Sequence, residues 1–467
     1  MTTDNSASAH QAIHTDGLPI RERRWAVLSV AIGVAMSSLD TAIANTALPA
    51  MAQQLHATPA DSVWIVNIYQ LATVATLLPF AALSEIVSFR RIFIFGLALF
   101  TLASLACACA WSLPSLIVAR LFQGVGASAV MGINTALLRL IYPSSMMGRG
   151  MGTNALVVAV SFAVGPTVAS TILSFWSWPW LFAINVPVGT LAFFLARKAL
   201  PETKRATHKF DALTALYNAG AFGLLILAIG EGAHLSDARE VALEAFGVIV
   251  CFILMLRRQA GHQAPMLPVD LFRRPQFALS SATSICAFTA QGLAFVSLPF
   301  YFESTLGRSA VETGFLLTPW AVLVAIMAPI AGRLSDRYPV GILAGIGTAT
   351  LSLGMALLLT MSHQPSTFDI CWRMALCGVG FGFFQAPNLR AILGNAPPER
   401  SGGASGIVAT SRLIGQASGA AMVAFCLTMF GRHGEAVALG IGAAFAAVGC
   451  VFSLTRVFVP GHGGIAK

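Results

Sequence analysis

The chain has 467 residues, 56% of them hydrophobic and only 10% charged, with a formal net charge of +9. Soluble proteins run near ~25% charged, so this composition excludes a water-soluble globule and describes an all-α polytopic membrane protein, whose apolar runs of about 20 residues each suit a ~30 Å hydrocarbon core. The basic excess is spread between those runs instead of forming one patch with aromatic neighbours, which argues against nucleic acid as a partner.

The tail, 1–24, ends in Arg21, Arg23 and Arg24 before the first apolar run, 25–48. That start resembles a signal peptide, but the run is too long for one and holds Asp40, so an uncleaved first span is expected. An Asp at the centre of a membrane helix costs about 2.5–3.5 kcal/mol on insertion scales. Asp40 is therefore read as part of a functional site or ion pathway, against the alternative of an interfacial or partnered structural Asp. The second span, 62–83, leads into a loop with Glu85, Arg90 and Arg91, and the third covers 91–110. The fourth, 114–138, carries Arg120 near its outward end, followed by Gln123, Gly124 and Gly126. Arg120 either snorkels to the interface or meets Asp40, which lies at the same outward depth, in a pair suited to carrying a proton. In the fifth, 151–174, Ser161, Gly165 and Ala169 recur every four residues on one face, where small side chains admit a close neighbour. Pro166 should bend that helix.

The sixth span, 180–199, is followed by two in a basic region, 212–230 and 241–256, and then by 276–300, 314–331, 341–361, 370–388, 404–430 and 436–455. A second acid–arginine loop, with Asp336 and Arg337, repeats the one after the second span. One such loop reads as solvated positive charge. Two suggest a cytoplasmic charge latch between halves. The expected organisation is a six-helix bundle over 25–199, central basic loops with two inserted helices over 200–274, a second six-helix bundle over 275–458 and a tail over 459–467. With the N-terminus inside, 22 of the 28 Lys and Arg face the cytoplasm and only Arg239, Arg308 and Arg432 face outward. Both termini are then cytoplasmic. Cysteine and histidine spacing suggests no metal site, and the absence of a Walker A stretch disfavours a built-in ATPase.

With these residues in view, the chain resembles the major facilitator superfamily, and within it the fourteen-span drug:proton antiporters that include quaternary-ammonium and methyl viologen exporters. "LDTAIANTALP" resembles the first-span signature through Leu39, Asp40, Asn45, Ala47, Leu48 and Pro49, with Ala42 where Thr is usual. "RLFQGVGA" is similar to the fourth-span motif, in which the arginine, here Arg120, is implicated in proton transfer. "GPTVAS" resembles the fifth-span antiporter motif through Gly165 and Pro166, with Ser161, Ala169 and Ser170 replacing glycines. Trp178, Phe182, Asn185, Pro187 and Gly189 match a signature of the fourteen-span branch, and Gly406, Arg412, Gly415 and Gly419 match its thirteenth-span pattern. The loop after the second span departs furthest, with Ala81, Glu85, Ile86, Ser88 and Phe89 replacing Gly, Asp, Arg, Gly and Arg.

The resemblance implies a secondary transporter, not an enzyme, in a bacterial-type inner membrane. It would export amphipathic drugs or toxic compounds, lipophilic cations among them, in exchange for protons by alternating access. It would act as a monomer with no cofactor beyond the proton gradient. Asp40 and Arg120 would couple the proton, while Ser161, Gly165 and Pro166 would form a gate. Adaptable aromatic and amide side chains suit a tolerant cavity, and Asn45, Trp64, Asn67, Tyr69 and Gln123 are expected there from the first half. Asn134, also of the first half, and Gln291, Phe295, Tyr301 and Asn388 of the second complete that set. An antiporter or importer of one metabolite on the same fold is the alternative. A non-transporting receptor leaves Asp40 and Arg120 unexplained.

Overall fold

The computed structural model describes residues 17–143, 146–202, 211–233, 238–259, 269–362, 364–395 and 401–459. Most of both expected tails and parts of the central loops (203–210, 234–237 and 260–268) lie outside the described residues. Every regular element among the described residues is helical. The long ones of the first half are α1 (Ile20–Thr46), α2 (Trp64–Val87), α3 (Phe89–Ala108), α4 (Leu113–Ile141), α5 (Met147–Phe175) and α6 (Asn185–Ala199). Two central helices follow, α7 (Ala212–Ala233) and α8 (Ala238–Gln259). The second half comprises α9 (Pro275–Phe300), α10 (Ala310–Leu334), α11 (Val340–Leu359), α12 (Thr367–Gly394), α13 (Ser401–Phe430) and α14 (Gly434–Phe458). Hydrocarbon offers the backbone no partners, so these apolar runs satisfy their N–H and C=O groups internally as helices. α4 and α10 each begin at a capping box, Ser112 with Ser115 and Ser309 with Glu312, which satisfies N–H groups that the first turn leaves open.

Among the described residues, twelve helices are long and apolar enough to cross a membrane, six before α7 and six after α8. The expected fourteen is therefore met only to twelve. In α7 the described apolar stretch is the shorter Ala212–Leu225. α8 carries Arg239, Glu240 and Glu244 near its start and Arg257 and Arg258 near its end, which shortens its apolar length.

The two halves repeat one packing scheme. α1 packs on α5 and α6, α3 on α4 and α6, and α2 on α4; α9 packs on α13 and α14, α11 on α12 and α14, and α10 on α12. The halves meet along two seams, α5 with α10 and α2 with α13, which exchange under the same correspondence. The interface between such repeats is where the expected site would lie. The repeat extends to single residues. A Cβ on Gly124 would lie 2.4 Å from the Tyr69 carbonyl oxygen, and one on Gly378 would lie 2.2 Å from that of Trp320. Only glycine lets α4 approach α2, and α12 approach α10, this closely. Tyr69 and Trp320 are thus equivalent positions.

α7 packs on α8 and also on both α2 and α13, covering one of the seams. Asn218 of α7 donates to the Ala75 carbonyl at 3.2 Å. Asp211 caps α7 by accepting the Thr214 N–H (3.2 Å) and hydroxyl (2.6 Å), and it pairs with Arg258 of α8 at 2.9 Å. At the end where α1 passes to α2, one buried apolar cluster joins the halves, with Ile43, Leu48, Met51 and Val63 meeting Val296, Phe300 and Val423.

Candidate functional site

Asp40 and Arg120 meet. The α4 guanidinium donates to one Asp40 carboxylate oxygen, and the two side chains are 1% and 0% exposed. The other oxygen accepts from Gln123 Nε2 at 2.8 Å and from Asn185 Nδ2 at 3.1 Å. Arg120 also donates from Nε to the Ile65 carbonyl (3.0 Å) and from Nη1 to Gln123 Oε1 (2.7 Å). Gln123 Nε2 reaches Ser104 at 2.9 Å, and the Cys107 thiol donates to Gln123 Oε1 at 3.5 Å. Side chains from α1, α3, α4 and α6 and a carbonyl from α2 therefore converge on one buried charge pair. Arg120 does not snorkel: its side chain is fully buried, and Nε and Nη1 donate inside the protein. Removing one partner of such a pair leaves an uncompensated buried charge at a cost of about 3–5 kcal/mol, so a proton arriving on Asp40 acts strongly on this assembly.

The pair is enclosed on several sides. Leu116, Ala119, Cys107, Leu181 and Phe182 belong to the apolar cluster that joins the halves, and the Phe182 ring centre lies 5.5 Å from the Arg120 guanidinium carbon. Toward the protein centre stands Tyr69, its ring centre 4.2 Å from the same carbon, its hydroxyl donating to the Ser37 carbonyl at 3.3 Å.

Tyr69 is also a cavity wall. A polar cavity between the halves is lined by Ser37, Thr41, Tyr69, Gln70 and Thr73, and it shares Phe162, Arg412 and Gln416 with a larger neighbour. That neighbour is lined by Phe288, Gln291, Phe295, Trp320, Phe381 and Gln385. The Trp320 and Phe295 rings are 5.1 Å apart, and Phe288 and Phe381 are 5.4 Å apart, both edge-on. Gln416 donates to Gln291 at 3.1 Å. Among the described residues, no Asp or Glu lines either cavity.

Of the residues expected in the cavity, Tyr69, Gln291 and Phe295 line it. The others are held elsewhere. Gln123 belongs to the Asp40 cluster, and Asn134 donates to Asn154 at 2.8 Å. Asn388 accepts from Arg456 (2.8 Å) and donates to Ser284 (2.8 Å) and the Ser280 carbonyl (3.1 Å), within the second half. Asn45 and Asn67 are buried outside both linings, Trp64 is partly buried at the start of α2, and Tyr301 begins a π-helical turn that extends α9.

Ser161, Gly165 and Ala169 are all buried, as one face. A Cβ on Gly165 would lie 2.4 Å from that of Ala42, so α5 presses against α1 beside Asp40. Its Pro166 turn presses against α10, where a Cβ on Gly314 would lie 2.5 Å from the Pro166 carbonyl oxygen. Thr167 and Thr318 share a hydrogen bond of 2.9 Å across that seam. The loop charges pair differently from the expected latch. Asp336 pairs with Arg390 of α12 within its own half, while Arg90 bonds the Arg197 carbonyl of its own half and pairs at 3.5 Å with Glu202, just beyond α6. Arg91 is exposed, Glu85 is engaged, and Arg337 follows the end of α10.

Asn185, Ser104 and Trp320 were not anticipated as site residues. Asn185 stood in a recognised signature without a role, and nothing local to Ser104 or Trp320 marks either.

The sequence profile of the Major Facilitator Superfamily matches residues 30–420. The chain is 48% identical over 450 residues to the uncharacterized transporter YebQ of Escherichia coli (strain K12), covering 96% of this chain and 98% of that protein. It is 30% identical over 407 residues to the riboflavin transporter RibZ of Clostridioides difficile (strain 630), covering 86% and 87%. With the multidrug resistance protein Stp of Mycobacterium tuberculosis (strain CDC 1551 / Oshkosh) it shares 29% over 412 residues, covering 86% and 75%.

Proposed function

This chain belongs to the Major Facilitator Superfamily and is a multi-pass membrane transporter, and we propose that it is a proton-coupled exporter of amphipathic drugs or toxic compounds. On this reading it is of the fourteen-span antiporter type, with α7 and α8 as its added spans and both termini in the cytoplasm of a bacterial cell. The likeness to Stp supports the drug-export part. One observation carries the coupling: Asp40 sits in a buried pair with Arg120, and Tyr69 both stacks on that Arg and lines the cavity. Protonating Asp40 removes the anion and leaves the guanidinium with neutral acceptors. That penalty of about 3–5 kcal/mol approaches the ~5.5 kcal/mol that moves a two-state equilibrium from 1:99 to 99:1. The proton thereby biases which side the halves open, and a compound against Tyr69 biases the proton.

The test is gradient-driven movement of a fluorescent amphipathic compound in proteoliposomes. Wild type should respond to an imposed pH difference, and Asp40→Asn should lose at least about tenfold of that response. A full gradient response in folded Asp40→Asn would overturn the coupling. The 30% likeness to RibZ favours a second reading, an antiporter or importer of one specific metabolite. Saturation by a single compound without competition from unrelated amphipaths would select it.

A further inference from the structure

Among the described lining residues, the central cavity carries charge of one sign only. Arg412 lines both lobes, is half-buried, and has no hydrogen bond or ion pair among the described residues. Asp40 is no counter-ion for it, since the Asp40 oxygens are taken up by Arg120, Gln123 and Asn185. Charged side chains inside membrane proteins ordinarily pair with one another or with carbonyls, so an unpaired guanidinium facing a cavity points to an anion that arrives from outside.

A second observation agrees. The Trp320 indole N–H is buried with no acceptor among the described residues, and Trp320 lines the larger lobe. A buried indole N–H usually finds a partner. The repeat shows why this one does not. In the first half the equivalent Tyr69 lies against Arg120, four residues before Gly124; four residues before Gly378 stands Met374, and Trp320 packs on Phe295 instead. The second half has thus kept the aromatic position and lost the charge, leaving a donor and an aromatic wall turned to other use.

We propose that this cavity binds an aromatic monoanion, a compound carrying a carboxylate or sulfonate on a planar ring system. Its anionic group pairs with Arg412, its ring packs among Phe288, Phe295 and Phe381, and the Trp320 N–H donates to it. This rests on the transporter reading for its meaning, since the cavity is taken as the transport site, and it sets the substrate's charge opposite to the lipophilic cations expected from sequence.

The experiment is calorimetric titration of the full chain in detergent with naphthalene-2-carboxylate, naphthalene-2-carboxamide and 2-naphthyltrimethylammonium. The carboxylate should bind at least about tenfold more tightly than the other two. Arg412→Gln should bring the three within about threefold of one another, while Arg412→Lys keeps most of the preference. Gln385→Glu, which puts a carboxylate into the same lobe, should also abolish the preference, and it answers the question if Arg412→Gln fails to fold. Equal or tighter binding of the cation by wild type, a preference that survives both Arg412→Gln and Gln385→Glu, or no binding of any probe overturns the proposal. Binding in detergent needs no gradient. Loss of gradient-driven movement with this ranking intact therefore strikes the coupling and spares the anion site.

Discussion

The Tyr69 ring centre lies 4.2 Å from the Arg120 guanidinium carbon, and the same ring forms part of the cavity wall. One side chain therefore touches both the charge pair and the cavity between the halves. Desolvated cation–π contacts reach about 2 kcal/mol. Tyr69→Leu should remove that contact, lower the melting temperature of the purified protein and weaken compound-driven proton flux severalfold. Tyr69→Phe keeps the ring and loses the hydroxyl's bonds with the Ser37 carbonyl and Thr41, so its flux should stay within about twofold of wild type. Equal loss in both variants would assign the role to the hydroxyl.

Asp40 and Arg120 should show strong coupling in a double-mutant cycle. Arg120→Gln leaves a buried carboxylate and Asp40→Asn a buried guanidinium, each destabilising by about 3–5 kcal/mol. The double variant should be more stable than the sum of the two losses by about 2 kcal/mol. Denaturant unfolding of the four proteins checks this, and additivity would mean the pair is not coupled.

Charge inside an apolar run has so high a cost that it stands out, which is why Asp40 and Arg120 were legible along with the helices around them. The helices themselves were legible because hydrocarbon leaves a long apolar run little choice, whereas the two-half order was legible in the acid–arginine loop that occurs after both the second and the tenth span. Asn185 and Ser104 were not, because a neutral amide or hydroxyl at a span end costs little and becomes significant only when four helices bring it to Asp40. Asn134 and Asn388 look like cavity amides in sequence, yet Asn154 and Arg456 engage them. Whether a polar residue faces a cavity or a neighbour depends on helix rotation, which spacing alone leaves open when nearly all faces are apolar. In sequence Asp336 and Arg337 suggest part of a latch between the halves, whereas Asp336 pairs with Arg390, brought from another helix of its own half.

Gly165→Ala should destabilise the α1–α5 contact, because the new methyl meets the Ala42 methyl at 2.4 Å. Overpacking of this kind costs about 1–3 kcal/mol. Adding Ala42→Gly removes the opposing methyl, so the double variant should recover most of the lost thermal stability. No recovery would place the strain elsewhere than at this contact.

Arg456 is 3% exposed and bonds Asn388, Ser280 and Ser453 with no carboxylate among them. Asn388→Leu takes away one charge-assisted acceptor and should cost about 1.5–3 kcal/mol. The expected signature is a lower melting temperature with unchanged transport per folded molecule. A changed compound preference instead would make Asn388 a binding residue.

Asp211 answers to pH. Slight burial works to raise its carboxyl, but hydrogen bonds from Arg258 and Thr214 outweigh it and hold the group at about 2. A carboxyl held below its unfolded value of about 3.9 adds stability above that pH and loses it as pH falls toward 2. Amide exchange in α7 and α8 should be indifferent to pH between about 5 and 8 after correction for intrinsic rates, and should rise below about 4. In Arg258→Gln the folded-state value moves back toward the unfolded one, so exchange should be faster throughout and the further rise below about 4 smaller.

In a pure repeat the two seams would be interchangeable, and the molecule would look the same to the bilayer from either flank. By lying on both α2 and α13, α7 breaks that equivalence. Its flank is roofed by protein, while along the opposite flank α5 and α10 contribute Phe162 and Ala321 directly to the cavity wall. Seen from the lipid, the molecule thus has a front and a back, one flank presenting α7 and the other the helix pair that reaches the cavity wall.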